Sequence, residues 1–335
     1  MATAKPPVLS IVIVSYNTRD LTLACLDSIV RETRETSYEI IVVDNASTDG
    51  SPAALLAHPA KPTLIALGQN IGFGRANNIA ARAAKGRLLL LLNPDTVILD
   101  QAIDRLLAFS QRWRVSGIWG GRTRFADGRL NPASAWARMT VWRLFCRASG
   151  LTGVFPNSAI CNGESYGGWM RDSERNVDVV SGCFLMIERE IWQQLGGFDP
   201  DYFMYGEDAD LCLRARKLGA RPRVTPDATI VHYGGASERV REDKVVKLLA
   251  AKATLIQLHF PALTAPLGLA LLAAWPLSRW LWHAARARCT GAPEAVEAAR
   301  VWALIWQRRA KWYHGFETDY KSPGVRAGSV ASTKG

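Results

Sequence analysis

Three carboxylates, Glu207, Asp208 and Asp210, open a helical pattern directly after the Gly- and aromatic-rich stretch GGFDPDYFMYG. A lone histidine, His232, closes the next apolar run just before Gly234 and Gly235. Clustered carboxylates with one downstream histidine suit acid/base chemistry beside a metal ion. Earlier in the chain, Asn93-Pro94-Asp95 offers a further carboxylate, and the stretches VSYN, VVDNASTDG and GFGRANN carry Ser15, Asn17, Asp44, Asn45, Gly72 and Asn77, with Asn70 just ahead of the last. Ser181-Gly182-Cys183 falls within an apolar run ahead of the carboxylates, and Gly182 permits close backbone approach.

For these groups to meet, apolar runs must form a sheet that ends at them. Residues 8–14, 39–43, 63–67 and 87–92 read as buried strands, with helical spacing over 20–29, through Ala84, and over 99–112. Alternation of this kind implies a largely parallel α/β sheet. Buried parallel strands are apolar throughout, and ligands collect at their carboxyl ends. Each run does end in polar residues: Ser15 and Asn17, Asp44 and Asn45, Asn70, then Asn93 and Asp95. Residues 120–176 are irregular and rich in Gly, Trp and Arg, expected as an acceptor-side hairpin and loop. A strand over 177–187, helices over 190–195 and 208–217, and a strand over 223–232 follow, and the domain is expected to close near Gly235.

Composition narrows the function classes. At 335 residues with 48% apolar content the chain can bury a full core, and six scattered cysteines form no CxxC pair, which fits small buried hydrophobes in a reducing compartment. The formal charge of +11 is concentrated after Ala236 and points to an anionic partner surface. Nucleic acid is not the expected partner, because the basic residues flank apolar and Trp-rich sequence and match no reader motif. Gly72-Phe73-Gly74 imitates a dinucleotide fingerprint, yet Asn77 replaces its third glycine and the following acid stands inside NPDT. The N-terminal MATAKPPVLSIVIVSYN shows no signal-peptide pattern.

Taken in order, VSYN, VVDNASTDG, GFGRANN, LNPDT and GGFDPDYFMYGEDADL resemble the inverting glycosyltransferases of family 2, and most closely the bacterial rhamnosyltransferase-like branch. The resemblance covers 8–235. It implies the GT-A nucleotide-diphospho-sugar transferase fold, with a nucleotide-binding half at 8–119 and an acceptor and catalytic half at 120–235. It further implies a donor site built from Ser15, Asn17, Asp44, Asn45, Asn70, Gly72, Asn77, Asn93, Asp95 and Gly182, with Asp44 taking the base N–H. Asp95 and His232 are implied as ligands of Mg2+ or Mn2+, in a family motif whose first Asp is here Asn93. Asp208 is implied as the base and Glu207 as its supporting group. The donor expected from the branch is TDP-rhamnose, with UDP- and GDP-sugars as alternatives, and the acceptor is a saccharide, expected to be polyprenyl-diphosphate-linked, in cell-surface polysaccharide synthesis. A catalytically silent sugar-nucleotide-binding protein of the same fold is the rival, kept alive by Asn93.

Residues 236–335 are expected to be helical, basic and membrane-associating. Residues 253–278 carry no formal charge but contain Pro261, Pro266 and Pro276, with Lys and Arg dense on both sides. That arrangement argues against a clean crossing and for a peripheral or re-entrant anchor at the cytoplasmic face of the inner membrane, with Trp275, Trp280 and Trp282 at headgroup depth. Arg214 and Arg216 are expected to be solvated.

Overall fold

The structure, a computed structural model, describes residues 6–234 and 241–316. In chain order it runs β1 (Leu9–Ser15), α1 (Arg19–Glu32), β2 (Tyr38–Asp44), α2 (Ser51–Leu56), β3 (Thr63–Ala66), α3 (Phe73–Ala83), β4 (Leu88–Leu92), β5 (Thr96–Ile98), α4 (Ala102–Arg112), β6 (Ile118–Arg124), β7 (Leu130–Asn131) and β8 (Ala135–Trp136). Then come α5 (Val141–Ser149), α6 (Leu151–Val154), β9 (Arg175–Asn176), β10 (Val179–Val180), β11 (Phe184–Glu188), α7 (Arg189–Gln194), α8 (Glu207–Lys217), β12 (Arg223–His232), α9 (Arg241–His259), α10 (Ala265–Thr290) and α11 (Pro293–Gln307).

The main sheet has the order β3-β2-β1-β4-β11-β6-β12-β5. Its first four strands are parallel, as their unbroken apolar sequences require of strands covered on both faces. Beyond β4 the sheet is mixed. β11 inserts antiparallel between β4 and β6, β6 and β12 run parallel, and β5 closes the edge antiparallel to β12. Side chains alternate cleanly between two cores: Leu9, Ile11 and Ile13 of β1 join Leu88, Leu90 and Leu92 of β4 on one face, and Val12 and Val14 join Leu89 and Leu91 on the other.

One expectation about elements needs correction. The strand expected over 177–187 is broken at Ser181–Cys183: β10 pairs with β8, β11 pairs with β4 and β6, and a turn closed by the Phe184 N–H on the Ser181 carbonyl separates them. The charge-free run 253–278 is not one segment. It is divided between the end of α9, a turn at Pro261 and the first half of α10, whose Pro266 sits in the first turn, where no N–H is needed. No described helix is long and apolar enough to cross a membrane.

The C-terminal helices have a core of their own. Leu249, Ala253 and Ile256 of α9, Leu272 of α10, Ile305 of α11 and Trp312 bury against Leu144 of α5. Trp275 packs against Trp302 and beneath the Arg147 guanidinium, so it faces inward, whereas Trp282 is exposed. The expected boundary at Gly235 lies outside the described residues.

Candidate functional site

The antiparallel insertion of β11 creates the site. Because β11 runs against β4, the residues before it, Ser181–Cys183, arrive beside the residues after β4, and the Asn93 N–H donates to the Cys183 carbonyl at 3.2 Å. The first turn of α8 meets the same point: Asp208 Oδ2 accepts the Gly182 N–H at 2.9 Å and Oδ1 accepts the Ala209 N–H at 2.7 Å. Burial raises the Asp208 carboxyl above its ordinary range, against the pull of these N–H groups. Its neighbour Glu207 is pushed up to about 8 by burial and by the charges of Asp208 and Asp210, and its Oε2 is buried without a hydrogen-bond partner. Both carboxyls are thus shifted toward the protonated form, Glu207 the more plainly, and at Asp208 the N–H groups oppose that shift.

Asp210 has a different task. It is buried, accepting from Arg214 Nε at 2.7 Å and facing His259 Nε2 at 2.8 Å, so it ties α8 to α9. Arg214 also donates to the carbonyls of Leu195 and Gly197, and Arg216 pairs with Asp178 at 3.1 Å. Arg214 is thus a partly buried tie and not a solvated side chain.

Opposite α8, the register of β12 on β5 sets His232 against Thr96 and so beside Asp95. His232 Nε2 lies 3.3 Å from Asp95 Oδ1 and 3.2 Å from Asn93 Nδ2, while Asp95 Oδ2 accepts the Gly234 N–H at 2.9 Å. Burial opposes charging of the His232 ring, but Cys183 and Asp95 outweigh it and push the imidazole up to about 10. The His232 Nδ1 is buried without a partner. No described cluster holds three or more His, Cys, Asp or Glu suited to a metal. A carboxylate, an imidazole and an Asn side chain together fit a divalent cation whose remaining ligands come from a bound diphosphate.

A cavity of about 1140 Å³ joins these groups, lined by Asn45, Asn70, Asn93, Asp95, Gly182, Glu207, Asp208 and His232 among others. The other expected donor residues, Ser15, Asn17, Asp44, Gly72 and Asn77, are not among its lining residues. Asp44 is buried, with Oδ2 accepting the Ser47 N–H and Oδ1 unpaired. Asn17 Oδ1 accepts the Thr48 N–H, Ser15 sits in a hydroxyl cluster with Thr18 and Thr22, and Asn77 donates to the Phe73 carbonyl one turn back. Asn45 donates to Asn70 Oδ1 at 2.9 Å, which shapes the loop before Gly72. Gly72 has φ +87°, and a Cβ there would stand 2.4 Å from the Phe203 carbonyl, so only glycine lets the donor-side loop lie against the loop preceding α8.

The far wall was not foreseen from sequence. Glu164 takes both Lys252 of α9 and Arg147 of α5, and burial of its carboxyl is outweighed by these cations, which hold it down at about 2. Lys244, Leu248, Ala251, Lys252, Leu255 and His259 line the cavity from α9. Their recurrence along one helical face was the available signal.

Residues 10–194 of the 335 match the sequence profile described as Glycosyl transferase family 2. The chain belongs to that family. Among curated relatives, the family-2 chain is 31% identical over 242 residues to O-antigen biosynthesis protein RfbC of Myxococcus xanthus, covering 70% of this chain but only 18% of that protein. It is 31% identical over 214 residues to the N-acetylglucosaminyl-diphospho-decaprenol L-rhamnosyltransferase of Mycobacterium tuberculosis, covering 59% of this chain and 67% of that one. Rhamnosyltransferase WbbL of Escherichia coli is 28% identical over 242 residues, 68% of this chain and 84% of WbbL. These relatives place this glycosyltransferase in the rhamnosyltransferase-like branch. Its fold is shared with the mannosyltransferase PcManGT of Pyrobaculum calidifontis, solved with GDP-Man and Mn2+, at a TM-score of 0.55 and 19% identity over 93% of this chain and 86% of that one.

Proposed function

We propose that this glycosyltransferase moves L-rhamnose from a nucleoside-diphospho-sugar, TDP-rhamnose in the first instance, to a hydroxyl of a lipid-diphosphate-linked saccharide, with inversion at the anomeric carbon. The observation that carries this reading is the Asp208 carboxylate held on the Gly182 N–H, facing the Asn93, Asp95 and His232 cluster across one cavity. In a single displacement, Asp208 removes the proton of the acceptor hydroxyl as its oxygen bonds the anomeric carbon, and the nucleoside diphosphate leaves on the opposite face. Protonated Glu207 keeps a second negative charge away from the base. Asp44 Oδ1, buried and unpaired, is the acceptor for the N–H of a pyrimidine base, with Asn45 and Asn70 shaping the adjoining loop. Asp95, His232 and the Asn93 carbonyl would hold Mg2+ or Mn2+, which supplies charge neutralisation for the departing diphosphate.

The names of the mycobacterial and E. coli relatives support rhamnose, and the mycobacterial name supports a polyprenyl-diphosphate acceptor. A position on an anionic membrane surface is supported by the +11 charge and by exposed Trp142, Phe145, Val154, Phe155 and Ile160 along α5, α6 and the loop after them. In this reading residues 1–235 form the catalytic unit and 236–335 the helical region that holds it there.

The test is nucleoside diphosphate release from TDP-, UDP- and GDP-sugars with a lipid-linked acceptor, with and without Mg2+ or Mn2+. Release from one donor that is lost in Asp208→Asn while nucleotide binding persists supports transfer. Binding without release by the wild type would favour the silent sugar-nucleotide-binding alternative that Asn93 allows.

A further inference from the structure

The cavity extends well beyond the reacting groups, and its outer wall is basic. Ala209, Leu213, Arg216 and Lys217 of α8 line it from Asp208 outward. These positions share one helical face. At a rise of ~1.5 Å per residue, Lys217 stands roughly 14 Å along the helix axis from Asp208.

Arg138 lines the cavity too, and its backbone shares Asp178 with the Arg216 guanidinium. Arg216 Nη2 is 3.1 Å from Asp178 Oδ1, the Arg138 backbone N–H donates to Oδ2 at 2.9 Å, and Arg143 Nη1 stands 4.0 Å from the same carboxylate. Two guanidinium groups, of Arg216 and Arg143, thus approach the Asp178 carboxylate, and Arg138 and Lys217 add two more cations to the lining of the same cavity. The side chains of Arg138 and Lys217 are exposed and have no anionic partner among the described residues. Arg147 and Lys252 contrast with them, since Glu164 already neutralises that pair.

Unpaired cations on a concave wall concentrate anions, and guanidinium groups match phosphate oxygens in geometry as well as charge. We infer that Arg138, Arg216 and Lys217 form a subsite for the diphosphate of the acceptor, held at a fixed distance from the base by the length of α8. This rests on the acceptor class proposed above and deepens it. The hydroxyl attacked at Asp208 and the phosphates at Lys217 are then opposite ends of one saccharide. Leu248, Leu255, Phe260 and Trp275 give the same cavity apolar lining suited to the first prenyl units.

The experiment is a binding titration of geranyl diphosphate to the full chain, with the donor site saturated by nucleoside diphosphate and Mn2+. Wild type should bind saturably and more weakly as salt rises. Arg138→Gln and Lys217→Gln should each weaken binding at least tenfold while keeping wild-type affinity for the nucleotide, which reports the fold. Inorganic pyrophosphate should compete, and geraniol should not bind comparably. Absence of binding by wild type, or equal binding by both variants, overturns the subsite. If the same variants weaken only the association with phosphatidylglycerol vesicles, the patch belongs to lipid headgroups and the inference is likewise overturned. The titration requires no turnover, so its failure is distinguishable from failure of the transfer reaction, which is read with Asp208→Asn.

Discussion

Asp208 and Glu207 are adjacent carboxylates with opposite tasks, and each variant should show it. Asp208→Asn removes the proton acceptor while leaving the Gly182 N–H a partner, so kcat should fall by about 10²–10⁴ with nucleotide affinity retained, measured by steady-state kinetics beside calorimetry. Glu207→Gln should instead stabilise the protein. The folded pKa of Glu207, about 8, is raised above the unfolded value by burial and by two nearby carboxylates. The unfolded chain therefore loses this proton near the ordinary carboxyl range while the folded chain keeps it. Wild-type stability falls as pH rises through that interval and levels off above about 8. A Tm higher than wild type by a few degrees is expected for Glu207→Gln at pH 8, shrinking toward pH 5, and scanning calorimetry across that range checks the sign. At this scale the motifs were readable because each polar residue follows an apolar run. Their division of labour was not. Nothing in the order of residues distinguishes Asp210, which is tied to His259 49 positions further along the chain, from Asp208 two places before it.

Among the elements, the first four strands were legible because strands covered on both faces must be apolar at every position. The strand expected over 177–187 was misread for the same reason: Val177 to Ile187 is apolar enough to look continuous, and only the pairing of β10 with β8 and of β11 with β4 reveals the break. That break delivers Gly182 to Asp208. The interruption of the run 253–278 was legible from its prolines: the chain turns at Pro261, and Pro266 opens α10. Gly72 provides a test of how tightly the elements are joined. Gly72→Ala forces a Cβ against the Phe203 carbonyl at a positive φ, so a loss of about 1–3 kcal/mol in denaturant unfolding is expected, with weaker nucleotide binding.

For the molecule as a whole, the helices after residue 241 are part of the enzyme's interior. Removing them would strip Leu144 of its neighbours, leave Asp210 without His259 and leave Glu164 without Lys252. A chain ending at residue 234 should therefore show a lowered Tm and lost transfer, even in detergent. The exposed aromatic residues of α5 supply a separate test of the membrane surface. Trp142→Ser with Phe145→Ser should reduce co-sedimentation with anionic vesicles while leaving Tm within a few degrees of wild type, because both side chains already face outward and stack on each other.

The carboxylate of Glu164 joins α5 and α9, so two stretches of chain about a hundred residues apart form one electrostatic unit. Recombination between relatives has to respect that unit. A hybrid that takes its catalytic sheet from one parent and its terminal helices from another would place an unmatched lysine or carboxylate in the wall of the cavity. Exchange of acceptor preference between such enzymes should accordingly succeed only when α5, the Glu164 loop and α9 travel together.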